Sequence, residues 1–155
     1  MRLMIDEMDS YIRQFNLVAQ KIRQYLNQQL KDLNLTASTY FFILKVGERG
    51  TLSQEELFKV IYLNPSNVTR RLNRLIKLGY VVKEKSPTDG RSRVIKLTAL
   101  GQQQYQQLLQ RLPQINQTLV DSFDAQQRTI LQQFLGIVDR DLDQLLSNKG
   151  DELNG

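Results

Sequence analysis

The stretch from residue 36 to residue 98 is so densely punctuated that only short elements fit in it. Ser53, with Glu56 three residues on, forms a capping box, the pattern that satisfies the free N–H groups opening a helix. It predicts a helix over 53–61. Asn64-Pro65 supplies a capping side chain followed by proline at the first helical position, where the missing N–H costs nothing. The helix it opens, 65–78, stops at Gly79. Upstream, Thr36 is placed to cap another short helix, 37–47, ending near Gly47. Tyr80 to Lys85 then reads as a strand, and Pro87-Thr88-Asp89-Gly90 as a turn. Residues 91–97 read as a second strand, with Val94 and Lys96 alternating against Ile95 and Leu97. Thr98 is placed to cap the next helix. Three short helices and a hairpin make a winged helix-turn-helix over 35–98, mainly α with a small β-hairpin.

The two flanks, 1–34 and 99–155, are different. Tyr11, Phe15, Val18, Ile22, Tyr25 and Leu33 recur at helical steps over 6–33, interrupted by Gln29. Tyr105, Leu108, Leu112, Ile115 and Leu119 share a second helical face, and Leu131, Phe134, Val138, Leu142 and Leu145 a third. Pro113 is expected to kink or break its helix. Asp124 with Gln127 marks the start of the last one. Apolar stripes of this length need a cover, most simply one another and a second copy of the chain. The flanks are therefore expected to form a helical dimerisation region.

Composition removes several kinds of chemistry. The chain has no cysteine and no histidine. Disulfides, thiol nucleophiles, Cys/His zinc sites and imidazole general bases are excluded with them. No serine has a histidine partner and nothing suggests an enzyme, so no enzyme and no cofactor are expected. Asp139, Asp141 and Asp143 imitate the start of a calcium loop, but Gln144 stands where such a loop needs glycine and Gly150 where it needs Glu. No metal site is expected. The longest apolar run, Tyr40 to Leu44, is far short of the roughly 20 residues that span a bilayer. The opening MRLMIDEMDS has no apolar signal core, so a cytoplasmic protein with no membrane partner is expected.

Charge is distributed unevenly. Residues 1–48 carry +1, residues 49–100 carry +7 and residues 101–155 carry −3. A basic middle third calls for an anionic partner. Helix 65–78 sharpens this. Val68, Leu72 and Leu75 share a face and must look into the core. Ser66, Arg70, Asn73 and Lys77 lie roughly opposite, flanked by Thr69 and Arg74, with Asn67 in the first turn. Such a face suits base edges and phosphates: Arg can grip guanine, Asn adenine, and the Thr methyl the thymine methyl. A merely solvated face would favour Glu and Lys. The hairpin is basic too, with Lys83, Lys85, Arg91, Arg93 and Lys96. Arg91 sits at its tip, where a long cation can enter a minor groove, and Asp89 is placed to hold its guanidinium. Double-stranded DNA is the expected partner. The rival reading is a winged-helix protein-interaction module whose basic face meets an acidic protein.

The pattern Ser66-x-Val68-Thr69-Arg70-x-Leu72-x-Arg74-Leu75-x-x-x-Gly79-Tyr80-Val81, followed by Asp89-x-Arg91-x-x-x-Ile95-x-Leu97-Thr98, resembles the MarR family of bacterial transcription regulators. The resemblance implies a winged-helix homodimer, most simply a repressor, on a pseudo-palindromic operator. It implies that helix 65–78 lies in the major groove and Arg91 in the minor groove, and that a small anionic or aromatic ligand releases the DNA. Two positions depart from the family pattern: Arg71, where an apolar residue is common, and Ile76, where a polar one is. The aromatic cluster Tyr40-Phe41-Phe42, with Phe15 and Tyr25, has two readings. Its rings fill the core, or Phe15, Tyr40 and Phe41 line a ligand pocket where the outer helices meet the winged helix.

Overall fold

The structure is a computed structural model and describes residues 7–61 and 65–152. Helix α1, Ser10–Gln29, is followed by a 3-10 turn at Lys31–Leu33. Then come α2 (Tyr40–Arg49), β1 (Thr51–Ser53), α3 (Gln54–Val60), α4 (Pro65–Lys77), β2 (Val81–Lys85), β3 (Arg93–Leu97), α5 (Ala99–Thr118) and α6 (Ala125–Glu152). Residues up to Pro113 form one compact unit and those from Gln114 a second. Among the described residues no helix is long and apolar enough to cross a membrane.

The first unit is built as its punctuation predicts, with four adjustments. The capping box opening α3 is complete: the Glu56 N–H donates to Ser53 Oγ at 3.0 Å, and the Ser53 N–H donates to Glu56 Oε2 at 2.9 Å. Helix α4 begins at Pro65, while the Asn64 cap lies outside the described residues. It ends in a Schellman motif: the Tyr80 N–H reaches the Leu75 carbonyl, the Gly79 N–H reaches Ile76, and Gly79 has φ +76°. The first adjustment concerns α2, which starts at Tyr40 rather than 37. Thr36 organises a turn instead, its N–H donating to Thr39 Oγ1 at 3.0 Å. The second is at the other end of α2. The helix passes through Gly47 and stops at Gly50, whose φ of +80° breaks it. Gly47 lies under the Tyr105 ring of α5, where a Cβ would collide. Glycine here lets two helices approach and does not end one.

Third, the hairpin is two strands of three. β1 pairs antiparallel with β3, Leu52 opposite Ile95, giving the order β1-β3-β2. Leu52 and Ile95 are both buried, so β1 completes the apolar face of a sheet in which β3 is central. A three-residue strand is too short to show alternation in sequence. Fourth, α5 runs unbroken through Pro113. The proline forfeits one helical hydrogen bond without ending the helix.

Leu30, Leu35, Phe42, Ile43, Val46, Leu57, Val68, Leu72, Leu75, Val81 and Leu108 are fully enclosed and form the core of this unit. Leu30, not Gln29, continues the α1 stripe into it. The stripe is split: Ile22 and Tyr25 are half-buried, whereas Tyr11 is 78% exposed and Val18 57%. In the second unit, α6 opens with the expected capping box, the Gln127 N–H donating to Asp124 Oδ1 and the Asp124 N–H to Gln127 Oε1. Its apolar stripe is largely open, with Phe134 at 63% and Leu145 at 64% exposure. Asp139, Asp141 and Asp143 lie along this helix. No cluster of three or more metal-ligating side chains occurs among the described residues.

Candidate nucleic-acid interface

Helix α4 separates its two faces cleanly. Val68, Leu72 and Leu75 have no exposed surface, which fixes the rotation of the helix about its axis. Ser66, Arg70, Asn73, Arg74 and Lys77 are exposed as a result, while Asn67 and Thr69 are half-buried. Arg70 donates through Nη2 to Asn67 Oδ1 at 2.8 Å, so these two predicted residues act as a pair. Arg70, Arg71, Asn73, Arg74 and Lys77 line one open concavity. Helix α4 contains no acid. Arg70 and Arg74 stand four apart, Arg71 and Arg74 three, and Arg74 and Lys77 three, so like charges face one another along it. An anion laid along the concavity would relieve that repulsion. Arg71 is half-buried and lines the same concavity. Ile76, the other departure from the pattern, is half-buried as well.

The tip of the wing is held by Asp89. Its carboxylate accepts the Arg91 N–H at 3.0 Å and the Ser92 hydroxyl at 2.9 Å. These two donors, the backbone N–H first, hold its pKa below the ordinary 3.8. Here the geometry differs from the expectation: Asp89 grips the Arg91 backbone and not its guanidinium. The turn is closed locally, and the exposed Arg91 side chain makes no hydrogen bond or ion pair among the described residues. Below the tip, Lys85 and Arg93 are direct cross-strand partners, both exposed. Like charges placed opposite one another destabilise a ladder, so this pair also favours a nearby anion. Lys96 is different, with its Nζ 2.9 Å from Glu84 Oε2 and its charge offset within the sheet.

Of the three aromatic candidates, Tyr40 and Phe41 lie together at the start of α2, rings edge to face at 6.4 Å, and both are half-buried. Lys45 stands over the Phe41 ring at 5.3 Å. Phe15 lies on the outward stripe of α1, 48% exposed. Phe42, beside them in sequence, is the ring that fills the core.

A cluster invisible in the sequence ties α5 to the end of α1 and the turn after it. Arg111 of α5 makes a two-pronged bond to Asp32, Nη1 to Oδ1 at 2.6 Å and Nη2 to Oδ2 at 2.7 Å. The same Nη1 donates to the Gln29 carbonyl at 3.2 Å. One residue on, the Leu33 carbonyl accepts the buried Tyr80 hydroxyl at 2.7 Å. Asp32 and Arg111 are 79 positions apart, and no local pattern announces a pair at that distance.

An α2-β1-α3-α4 arrangement closed by a basic hairpin defines a winged helix-turn-helix protein with an exposed cationic second helix. Comparison with known proteins places it further. A family model described as the MarR family matches residues 31–92. The multiple antibiotic resistance protein MarR of Salmonella typhimurium is 30% identical over 120 residues, covering 77% of this chain and 83% of the relative. Among solved structures, a cysteine-to-serine mutant of MarR from E. coli, complexed with operator DNA, superposes with a TM-score of 0.78 at 28% identity, covering 86% of this chain and 96% of that one. The transcriptional regulator SlyA shares the fold, with a TM-score of 0.76 at 19% identity over 85% of this chain and 93% of its own. The chain belongs to the MarR family of transcription regulators.

Proposed function

We propose that the protein is a homodimeric, sequence-specific DNA-binding repressor acting in the cytoplasm, and not an enzyme. The observation that carries this reading is the acid-free α4, its apolar face fully buried and its Arg, Asn and Lys face turned outward. In the proposed complex α4 lies in the major groove. Asn67, Arg70 and Asn73 meet base edges, with Ser66 and Thr69 beside them, and Arg74 and Lys77 meet phosphates. Arg91 enters the minor groove from a tip that Asp89 keeps closed, and Arg93 with Lys85 contacts the backbone below it. The likeness to a MarR structure bound to operator DNA supports this placement. Residues 35–98 are then the DNA-binding domain. Residues 1–34 and 99–155 pair two copies, which the open stripes of α1 and of α6 favour. A small anionic or aromatic ligand lowers operator affinity, with Tyr40, Phe41 and Phe15 as its proposed contacts.

Fluorescence anisotropy on DNA from upstream of the protein's own gene, against scrambled DNA at two salt concentrations, tests the core of this. Preference for the upstream DNA that persists at the higher salt is the expected result. Equal binding to both, lost with salt, would leave only a basic surface and return the protein-interaction reading.

A further inference from the structure

The turn between α1 and α2 is a junction of three elements. Its Asp32 carboxylate and the last α1 carbonyl, Gln29, are held by one guanidinium from α5. Gln107, one turn before Arg111 on α5, places Oε1 at 3.4 Å from the same guanidinium. The carbonyl of Leu33, the residue after Asp32, accepts the hydroxyl of Tyr80. Tyr80 is the residue that closes the Schellman motif of α4, and it is 4% exposed. Its own carbonyl accepts the Thr98 N–H at 3.0 Å and is pressed by Gly101, where a Cβ would collide with it. The C-terminal end of α4, the end of α1 and the shaft of α5 are thus bolted to one another through residues 29–33. None of these groups lies on the basic face.

From this geometry we infer that Arg111, Asp32 and Tyr80 are positioning residues that fix the orientation of α4 relative to α1 and α5, and thereby the half-site spacing the protein accepts. The inference rests on the proposed reading that two copies bind one operator. A two-pronged guanidinium–carboxylate pair restricts rotation where a single contact would not. A dimer must present two α4 helices at a separation matched to about one helical turn of DNA, some 34–36 Å. One inserted base pair moves the second half-site by about 3.4 Å and turns it around the axis, so a rigid mount discriminates and a loose one does not.

The test uses the full-length protein and the duplex that the wild type enriches from a randomised library. Binding is measured to that duplex, to the same duplex with one base pair inserted between half-sites, and to scrambled DNA. Arg111→Gln and Asp32→Asn are each expected to lose about tenfold in affinity for the enriched duplex, and the double variant no more than either alone. Discrimination against the inserted base pair falls with it. Affinity for scrambled DNA and the salt slope stay at wild-type values, because no phosphate contact is removed. Tyr80→Phe gives the same pattern, and thermal melting shows that each variant is folded at the assay temperature. Unchanged discrimination in folded variants overturns the inference, and so does a reduced salt slope for Arg111→Gln, which would make it a direct DNA contact. If the wild type enriches no sequence, the DNA-binding reading itself fails, and the inference with it.

Discussion

At the scale of single residues, the outward side chains of α4 fall into two kinds with separable signatures. Arg70 is held by Asn67 in the free protein, which in the proposed complex would lower the entropy lost on gripping a base edge. Arg70→Ala and Asn73→Ala are expected to cost about 1–3 kcal/mol on the preferred sequence and to relax preference at one position each. Arg71 is half-buried and lines the concavity. Arg71→Gln is expected to weaken all sequences about equally and to lower the salt slope by about one. Anisotropy titrations against single-base operator variants at several salt concentrations read both effects, and the opposite assignment would exchange them. Asp89 makes a pH prediction. Its carboxylate is stabilised ionised in the folded wing, so the wing tip gains from it above the ordinary carboxylate value of 3.8, and the gain is lost as pH falls through its lowered folded pKa. The Arg91 and Ser92 amide resonances should hold constant around neutral pH and move only in acid below the ordinary carboxylate value. A transition near neutrality would contradict this.

Among the elements, several helix starts and stops were legible because they are local chemistry, while the start of α2 was not, Thr36 making a turn with Thr39 instead of a cap. Ser53 and Glu56, Asp124 and Gln127, and Gly79 each satisfy backbone groups within a few residues, and each stands where its pattern implied. Ser53→Ala is accordingly expected to cost about 1 kcal/mol, measured by urea unfolding, without altering the outward face of α4. The burial of Val68, Leu72 and Leu75, and with it the exposed face opposite, follows from helical period alone and was equally legible. What stayed hidden depends on contacts between distant segments. Gly47 resembles a helix terminator until Tyr105 is found packed on it, and Gly50 ends the helix instead. β1 has three residues and is defined only by Ile95 and its neighbours opposite. Asp89 was legible as turn chemistry, while its grip on backbone rather than guanidinium was not. Gly101 gives the sharpest test of the long-range kind. A methyl there meets the Tyr80 carbonyl, which is backbone and cannot rotate aside, so Gly101→Ala should destabilise by at least about 1–3 kcal/mol despite its better helix propensity. A melting temperature at or above wild type would show that the start of α5 is not pressed against Tyr80.

For the whole molecule, two quantities meet: surplus apolar surface at the ends of the sequence and surplus positive charge in its middle. On α1, Tyr11, Ile12 and Val18 stand 78%, 65% and 57% exposed. On α6, Phe134, Leu142, Leu145 and Leu146 stand 63%, 51%, 64% and 71% exposed. Burying a side chain of this kind is worth about 1.5–3 kcal/mol, so a second copy has ample reason to cover them. Sedimentation at micromolar concentration should therefore find a dimer, and Leu142→Asp with Leu145→Asp should find a monomer. The proposed pairing would also let a chain of net charge only +5 hold one site selectively. Each middle third, at +7, is attracted to any duplex, and that attraction is non-specific and fades with salt. Coupling two such surfaces makes the second contact intramolecular, and its gain reaches about 10²–10⁴ only where both half-sites are present. The monomeric variant should lose that factor on a two-half-site operator. On a single half-site, and on scrambled DNA measured per subunit, it should bind as the wild type does. A wild-type protein that sediments as a monomer, or a monomeric variant that keeps full operator affinity, would require selectivity to come from one α4 and one wing alone.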